Sequence, residues 1–433
     1  MLMPGVEMAL AQKDAQADYT LEIAEIDWEI GARKKVRTTA YNGQIPGPLL
    51  RLREGRPVTI DIKNLLGREE IVHWHGQWIP PDVDGSMEEG TPMIPAAGRT
   101  RIRFTPRPSG LHWYHTHAHS GHAMKYGLYS GQFGLLMVEG GENAGAYDRE
   151  QFLVLHEWEP YAAASDDGSE EVEYVYGTIN GRMLGHAEPV RVKEGERVLF
   201  HILNASATQV RWLSLPGHAF EVHALDGRPV PTHARVETLM LGPAERATAI
   251  VTMDHPGIWV LGEAREDFRN RGTGIVIEYA LQAGKPVAAA PKSLAWDYRT
   301  FGDPNPVPRK PDIVIPLVFT SKFQGHGAMD RWMINGKSYP DTDPVILKEG
   351  LRHRLRFDNR SRDDHPVHLH RHAFELVSIA GAATAGVMKD VVVVKAGTVV
   401  EADLVATNPG LSLFHCHQQD HMDMGFMTMF RYS

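Results

Sequence analysis

His415-Cys416-His417-Gln418-Gln419-Asp420-His421 contains the only cysteine of the 433-residue chain, with a histidine on either side and another five positions on. A lone thiol forms no internal disulfide, so its chemistry is that of a free or metal-bound sulfur. Thiolate plus imidazole is a donor set that suits copper, two histidines and one cysteine with a weak axial group making a blue electron-transfer centre. Zinc takes the same residue types, so the heptapeptide alone leaves zinc, or a chance histidine-rich strand end, as alternatives.

The segment closes the third of three internal copies, and the copies divide the chain. Each opens on Asn-Gly (Asn42-Gly43, Asn180-Gly181, Asn335-Gly336), reaches a Glu-Gly turn twelve to fourteen residues later (Glu54-Gly55, Glu194-Gly195, Glu349-Gly350) and runs into a Val/Leu/Ile-rich strand. The second and third share His218-Ala219-Phe220-Glu221-Val222 and His372-Ala373-Phe374-Glu375-Leu376, 23 and 22 residues beyond their Glu-Gly glycines. Each has a later glycine at its final strand: Gly110, Gly257 and Gly410.

Counted from the Glu-Gly glycine, positions 18 and 20 are His73 and His75, then Leu213 and Leu215, then His368 and His370. Counted from the later glycine, positions 5 and 7 are His115 and His117, then Gly262 and Ala264, then His415 and His417. Position 6 is Thr116, Glu263 and Cys416 in turn, and position 11 is Gly121 in the first copy and His421 in the third. The outer copies carry ligand-type residues, the middle copy has lost them, and the third alone builds a cysteine centre.

The copies imply domains at 19–145, 146–285 and 313–433, a linker at 286–312 within the Ala/Pro-rich stretch Ala283 to Asp312, and a disordered segment at 1–18. Forty-one glycines, 28 prolines and short alternations such as Pro57-Val58-Thr59-Ile60-Asp61-Ile62 point to short strands joined by turns, an all-β chain of antiparallel two-sheet sandwiches. A net charge of −9, with 45 basic and 54 acidic residues and no long run of either sign, argues against nucleic acid as a partner. No apolar run is long enough for a transmembrane helix, so no membrane partner is expected. Residues 1 to 19 lack the basic start and apolar stretch of a secretory signal, and the polar, Ala-rich Met1 to Asp18 reads as the stretch left once such a signal has been trimmed.

Successive strand side chains point to opposite faces, so each His-x-His sets two imidazoles on one face, about 7 Å apart along the backbone. Four such pairs give eight same-face imidazoles split between the outer domains, more than one copper needs, which places a cluster of three where those domains meet. The same alternation turns Cys416 away from His415 and His417, toward a different metal. His365, three residues before His368, faces the cysteine side and with Cys416 and His421 completes a two-His, one-Cys set. The two centres are then joined by on the order of 10 Å of covalent strand.

His73-Trp74-His75-Gly76, Trp113-Tyr114-His115-Thr116-His117, His365-Pro366-Val367-His368-Leu369-His370 and His415-Cys416-His417 with His421 together resemble the signatures of the three-domain multicopper oxidases, laccases and copper-resistance oxidases among them. The resemblance covers nearly the whole chain. It implies three cupredoxin-like Greek-key β-sandwich domains and four copper ions. It makes His365, Cys416 and His421 ligands of a type 1 copper, His73 and His368 those of a type 2 copper, and His75, His115, His117, His370, His415 and His417 those of a binuclear type 3 pair. The implied reaction is four one-electron oxidations of a phenolic or aromatic amine reductant, with dioxygen reduced to water at the cluster. A cuprous or ferrous oxidase of copper tolerance is the alternative. A periplasmic or secreted location and a monomer are also expected, the latter because one chain holds every ligand.

The family's axial position, ten residues after the cysteine, is Phe426, which offers no thioether and so implies a high-potential blue centre. Asp84, nine residues after His75, matches an acidic position that the family places near the type 2 site, and is expected to serve the protons that water formation needs. Glu237 resembles an acidic residue that contacts phenol in laccases, although a solvated carboxylate is the plainer reading. His119, His122 and Met124, with Met422, Met424, Met427 and Met429, have the chemistry to pass Cu(I) but read more simply as packing. His218, His223 and His233 lack pair spacing and read as structural.

Overall fold

The computed structural model describes residues 16–140, 145–165, 168–307 and 309–433. Most of the segment expected to be disordered lies outside these residues, while Asp18 exchanges two hydrogen bonds with Thr59. The three Asn-Gly pairs make one structure three times. Asn42, Asn180 and Asn335 all have φ of 52°, and the glycines after them 68°, 70° and 79°. Two consecutive left-handed residues make a type I′ turn, whose twist matches the strands it joins. Each Asn side chain also ties the turn to its neighbouring strand: its oxygen accepts from the amide of Glu22, Val154 or Val318, and its nitrogen donates to the carbonyl of Thr20, Phe152 or Pro316.

The strands form six sheets among the described residues, two for each copy. One sheet keeps its order in all three: Gly47–Arg53, Phe133–Glu139, Gly110–Thr116 and Val72–His75 in the first; Val190–Val192, Gly274–Tyr279, Ile258–Glu263, Arg211–Ser214 and Thr238–Leu241 in the second; Val345–Leu347, Met427–Tyr432, Ser412–Cys416, His365–Leu369 and Val391–Val394 in the third. Inward side chains of each sheet meet those of its partner sheet, as Leu21, Ile60, Leu50, Tyr114 and Leu136 do in the first copy. The expected all-β sandwiches therefore form, with one correction. The sheets are mixed: Tyr19–Gly31 runs parallel to Val58–Asn64 and Gly47–Arg53 parallel to Phe133–Glu139, with counterparts in the other copies. Side-chain alternation is the same in both pairings, so composition and periodicity do not distinguish them.

Register settles which residues correspond. Val72 pairs with Thr116 and His73 with His115; in the same way Val367 pairs with Cys416 and His368 with His415. In the middle copy Glu263 pairs with Leu213, and Gly262 with Ser214. The spatial counterparts of His368 and His370 there are thus Ser214 and Pro216, one residue later than the count from the Glu-Gly glycine placed them. The extra residue is the same one that separates the spacings of 23 and 22 before the shared His-Ala-Phe-Glu segment. A one-residue slip exchanges the faces of a strand, so the shift matters; neither Ser nor Pro is a copper ligand, and the middle copy still has none at these positions.

Candidate metal centres

Two strands of the first domain, Val72–His75 and Gly110–Thr116, and two of the third, His365–Leu369 and Ser412–Cys416, bring His73, His75, His115, His368 and His415 to one interface, with His117, His370 and His417 just past the strand ends. Every histidine expected as a ligand is buried, with none more than 6% exposed. Within each His-x-His pair the rings lie close, 5.5 Å for His73 and His75 and 4.9 Å for His368 and His370. Across the domains His75 stacks on His368 at 3.8 Å and His73 on His370 at 3.9 Å. Donor atoms of His73, His75 and His368, of His75, His115 and His417, and of His117, His370 and His415 come within 4.8 Å of one another in each set.

The hydrogen bonds orient the rings for this. Nδ1 of His73 and of His368 donates to the carbonyls of Asp84 and Asp390, at 2.8 and 2.7 Å, and leaves each Nε2 buried without a partner. Nδ1 of His115 is likewise bonded to the Thr116 carbonyl, with Nε2 unpartnered. His75 is reversed: its Nε2 meets Asp390 Oδ1 at 3.1 Å and its Nδ1 is free. A ring anchored through one nitrogen, with the other bare and facing its neighbours, is the arrangement of a metal ligand. Burial, reinforced by the surrounding imidazoles, holds His75, His115, His117, His368, His415 and His417 far below the ordinary histidine range, hence neutral with lone pairs available. The donor set and its unpaired nitrogens fit copper, or another metal that takes imidazole.

On the far side of the same strand, Cys416 Sγ lies 3.7 Å from His365 Nδ1 and 3.5 Å from His421 Nδ1, and those nitrogens are 3.1 Å apart. Ser361 holds His365 through Nε2 at 2.8 Å, turning Nδ1 toward the sulfur. His421 rides on the short helix Gln419–Asp423 that follows the strand, and Trp332 lies against its ring at 4.1 Å. Burial pushes the Cys416 thiol well up, so the thiolate form belongs to the metal-bound state. Phe426 is fully buried, with its ring 4.7 Å from that of His365.

Three multicopper oxidase family signatures match residues 22–143, 152–280 and 315–433. Multicopper oxidase MmcO of Mycobacterium tuberculosis is 30% identical over 92% of this chain and 83% of its own length. The chain belongs to the multicopper oxidases. It is accordingly a copper-binding oxidoreductase that uses oxygen, built from cupredoxin-like domains. The crystal structure of a multicopper oxidase from Pseudomonas thermotolerans shares the fold with a TM-score of 0.75 at 25% identity, covering 96% of this chain and all of that one. A Campylobacter jejuni multicopper oxidase described as a metallo-oxidase shares the fold at 0.75 and 22% identity, over 97% of this chain and 93% of its own.

Around the oxidase's histidine cluster stand residues of two kinds. Asp84, fully buried, accepts from His370 Nδ1 at 2.9 Å through Oδ2 and from His73 through its carbonyl. Burial opposes its charge, but the adjacent His73 and His370 hold its carboxyl well below the usual range. Glu89, which the sequence did not single out, is 3.2 Å from His370 Nδ1 and accepts from the Leu413 amide at 2.6 Å. Burial and then the charge of Asp84 push its carboxyl well up. Its sequence signal was only a Glu-Glu pair in a loop. Gly76, which closes the His-Trp-His-Gly signature, has φ of +84° and room for no side chain: a Cβ there would stand 2.5 Å from His112 Nδ1 and 2.8 Å from Asp390 Oδ2.

A cleft of about 240 Å³ reaches His421 from the surface, walled by Glu170, Glu171, Asp330, Asp363, Asp364 and Asp420, with Arg265 as the one arginine or lysine among the described residues that line it and Met329 and Met424 among its apolar ones. Glu237 is exposed, between Arg235–Val236 and Thr238–Leu241 of the middle domain, and is not among the residues that line this cleft. His119 is held between Asp423 and Glu88 at 2.8 and 3.3 Å, while the side chain of His122 lies outside the described residues. Met422 and Met427 pack with Leu413, Met429 borders them, and Met124 packs at the edge of another core cluster. His218 and His223 are engaged by Tyr279 and Glu221, and His233 packs on His223.

Proposed function

We propose that this oxidase is laccase-like, coupling one-electron oxidation of phenolic or aromatic amine substrates to reduction of dioxygen to water. Four copper ions would supply the electron-transfer and dioxygen chemistry. His365, Cys416 and His421 would hold the type 1 ion, and His73 with His368 the type 2 ion. His75, His115 and His417 would hold one type 3 ion, and His117, His370 and His415 the other. The observation that carries the reading is that Cys416 and its two histidine neighbours face opposite ways along one segment, so that a single covalent stretch would link an electron-entry site to a three-metal cluster.

The chain's own groups support each step. Trp332 and Phe426 cover the His365/His421 side and keep water from the thiolate. Asp84 orients two cluster ligands, and Glu89, whose carboxyl burial and the charge of Asp84 push up, stands beside His370 where water formation would consume protons. Phe426 leaves the blue ion without a thioether, which favours its reduced state and a high potential. Export to the periplasm or beyond the cell, and action as a monomer, belong to the same reading.

A second reading is favoured by the cleft. Its carboxylates and two thioethers against His421 suit a metal cation, Cu(I) or Fe(II), better than a neutral phenol. Steady-state kinetics of the copper-loaded enzyme on a phenol, Cu(I) and Fe(II) decide between the two: a phenol turned over with the highest kcat/KM supports the laccase-like reading, and a preference of tenfold or more for either cation overturns it. Dioxygen uptake separates both from a copper store, which would consume none.

A further inference from the structure

The middle domain holds none of the cluster ligands, yet its Arg246 is fully buried where all three domains meet. All five of its N–H groups are used. Nε donates to the Leu111 carbonyl of the first domain, Nη1 to the Ala244 carbonyl and Asp390 Oδ1, and Nη2 to the Asp226 carbonyl and Asp390 Oδ2. The two bonds to Asp390, of the third domain, are 2.6 and 2.7 Å, a bidentate fork that fixes the carboxylate plane.

Asp390 faces the cluster with what remains. Its Oδ1 meets His75 Nε2 of the first domain at 3.1 Å, and its carbonyl accepts from His368 Nδ1 of the third at 2.7 Å. One residue therefore sets the ring orientation of two histidines from different domains, whose rings stack at 3.8 Å. The middle domain grips the same segment twice more: Asp226 Oδ2 accepts from the amides of Asp390 and Val391 and pairs with Lys389 Nζ at 2.9 Å, and Glu245 pairs with that nitrogen at 2.9 Å.

We infer that Arg246 and Asp390 are positioning residues of the copper cluster, through which the ligandless middle domain sets the geometry of His75 and His368. A buried pair serving only to join domains would not need its carboxylate on one ligand and its carbonyl on another. Partners of metal-bound histidines typically govern metal affinity by 10- to 100-fold. The inference rests on the copper assignment above.

The test is copper content and electron paramagnetic resonance of Arg246→Gln, Arg246→Lys and Asp390→Asn beside the unaltered enzyme. Arg246→Gln is expected to keep the blue absorption of the Cys416 centre, which lies on the other strand face, while losing cluster copper. Arg246→Lys, which retains one charged contact to Asp390, should recover part of it. Asp390→Asn keeps the carbonyl that holds His368, so its type 2 signal should persist while the coupling of the pair that includes His75 is broken. Full copper with an unchanged spectrum in Arg246→Gln and Asp390→Asn overturns the inference, as does equal loss of the blue centre and the cluster in both. If Arg246→Gln fails to fold, Asp390→Asn decides alone. An unaltered enzyme that loads copper without blue absorption refutes the copper assignment instead.

Discussion

Thr116 Oγ1 donates a 3.0 Å hydrogen bond to the Glu70 carboxylate at the spot where the third domain sets Cys416 against His365. The equivalence follows from register, since Val72 pairs with Thr116 as Val367 pairs with Cys416. The middle domain puts Arg211 and Glu263 there, 3.7 Å apart and buried. Three related sandwiches thus place three different polar pairs at one buried position, and only the third joins a thiol to an imidazole, the soft donor set that suits copper. A buried polar group needs a partner, and in the first two copies a hydrogen bond or an ion pair supplies it.

Replacement of Arg211 by methionine should therefore destabilise the protein by about 3–5 kcal/mol, because it strands the buried Glu157 carboxylate, while Glu263 keeps Arg265 at 3.0 Å. Glu157 lies 2.6 Å from the guanidinium and Glu263 is its second partner. Thermal unfolding of Arg211→Met reads the loss, and its copper content and blue absorption should stay those of the parent. A melting temperature within a degree of the parent refutes the account.

Phe426→Met should lower the potential of the blue centre, since a thioether stabilises the oxidised ion where phenylalanine offers no donor atom. Redox titration of the two proteins measures the difference. An unchanged or raised potential would show that the side chain at 426 does not approach the metal.

Asp84→Asn should lower turnover with dioxygen by roughly 10²-fold, the low end of what a positioned acid or base contributes. Anaerobic reduction of the blue centre by substrate should proceed at the parent rate, as Asp84 meets the cluster histidines and Glu89 and not His365, Cys416 or His421. Glu89→Gln should reduce turnover in the same manner without affecting substrate KM. Full turnover in Asp84→Asn rules out its part in proton supply.

Asp330 lines the cleft with its Oδ1 buried and unpartnered. If a metal cation is oxidised there, Asp330→Asn should raise KM for Cu(I) or Fe(II) several-fold and leave that of an uncharged phenol unchanged. Equal effects on both would remove the cleft's charge from consideration as a basis of substrate choice.

Removal of copper should lower the melting temperature while leaving the β-sheet circular dichroism in place, because the sandwich cores of Val, Leu, Ile and Phe need no metal. A ligand present at about a thousand times its dissociation constant adds about 4 kcal/mol to the folded state. Calorimetry of copper-loaded and chelator-treated protein checks this, and coincident transitions would contradict it.

What the sequence determined alone is what depends on near neighbours. The Asn-Gly pairs at 42, 180 and 335 announce turns because two left-handed residues are needed there, and His-x-His announces a shared face because a strand alternates. Cys416 facing away from His415 and His417 follows from the same rule. Tertiary structure alone decided the rest. Which histidines from the two outer domains bring their ring nitrogens together, that Glu89 stands beside His370, that Arg246 reaches His75 and His368 through Asp390, and that the cleft at His421 is acidic, all depend on segments far apart in the chain. Such contacts have no period and leave no local pattern. They arise from how three sandwiches, each folded by short-range rules, pack against one another at a buried interface where every polar group must find a partner.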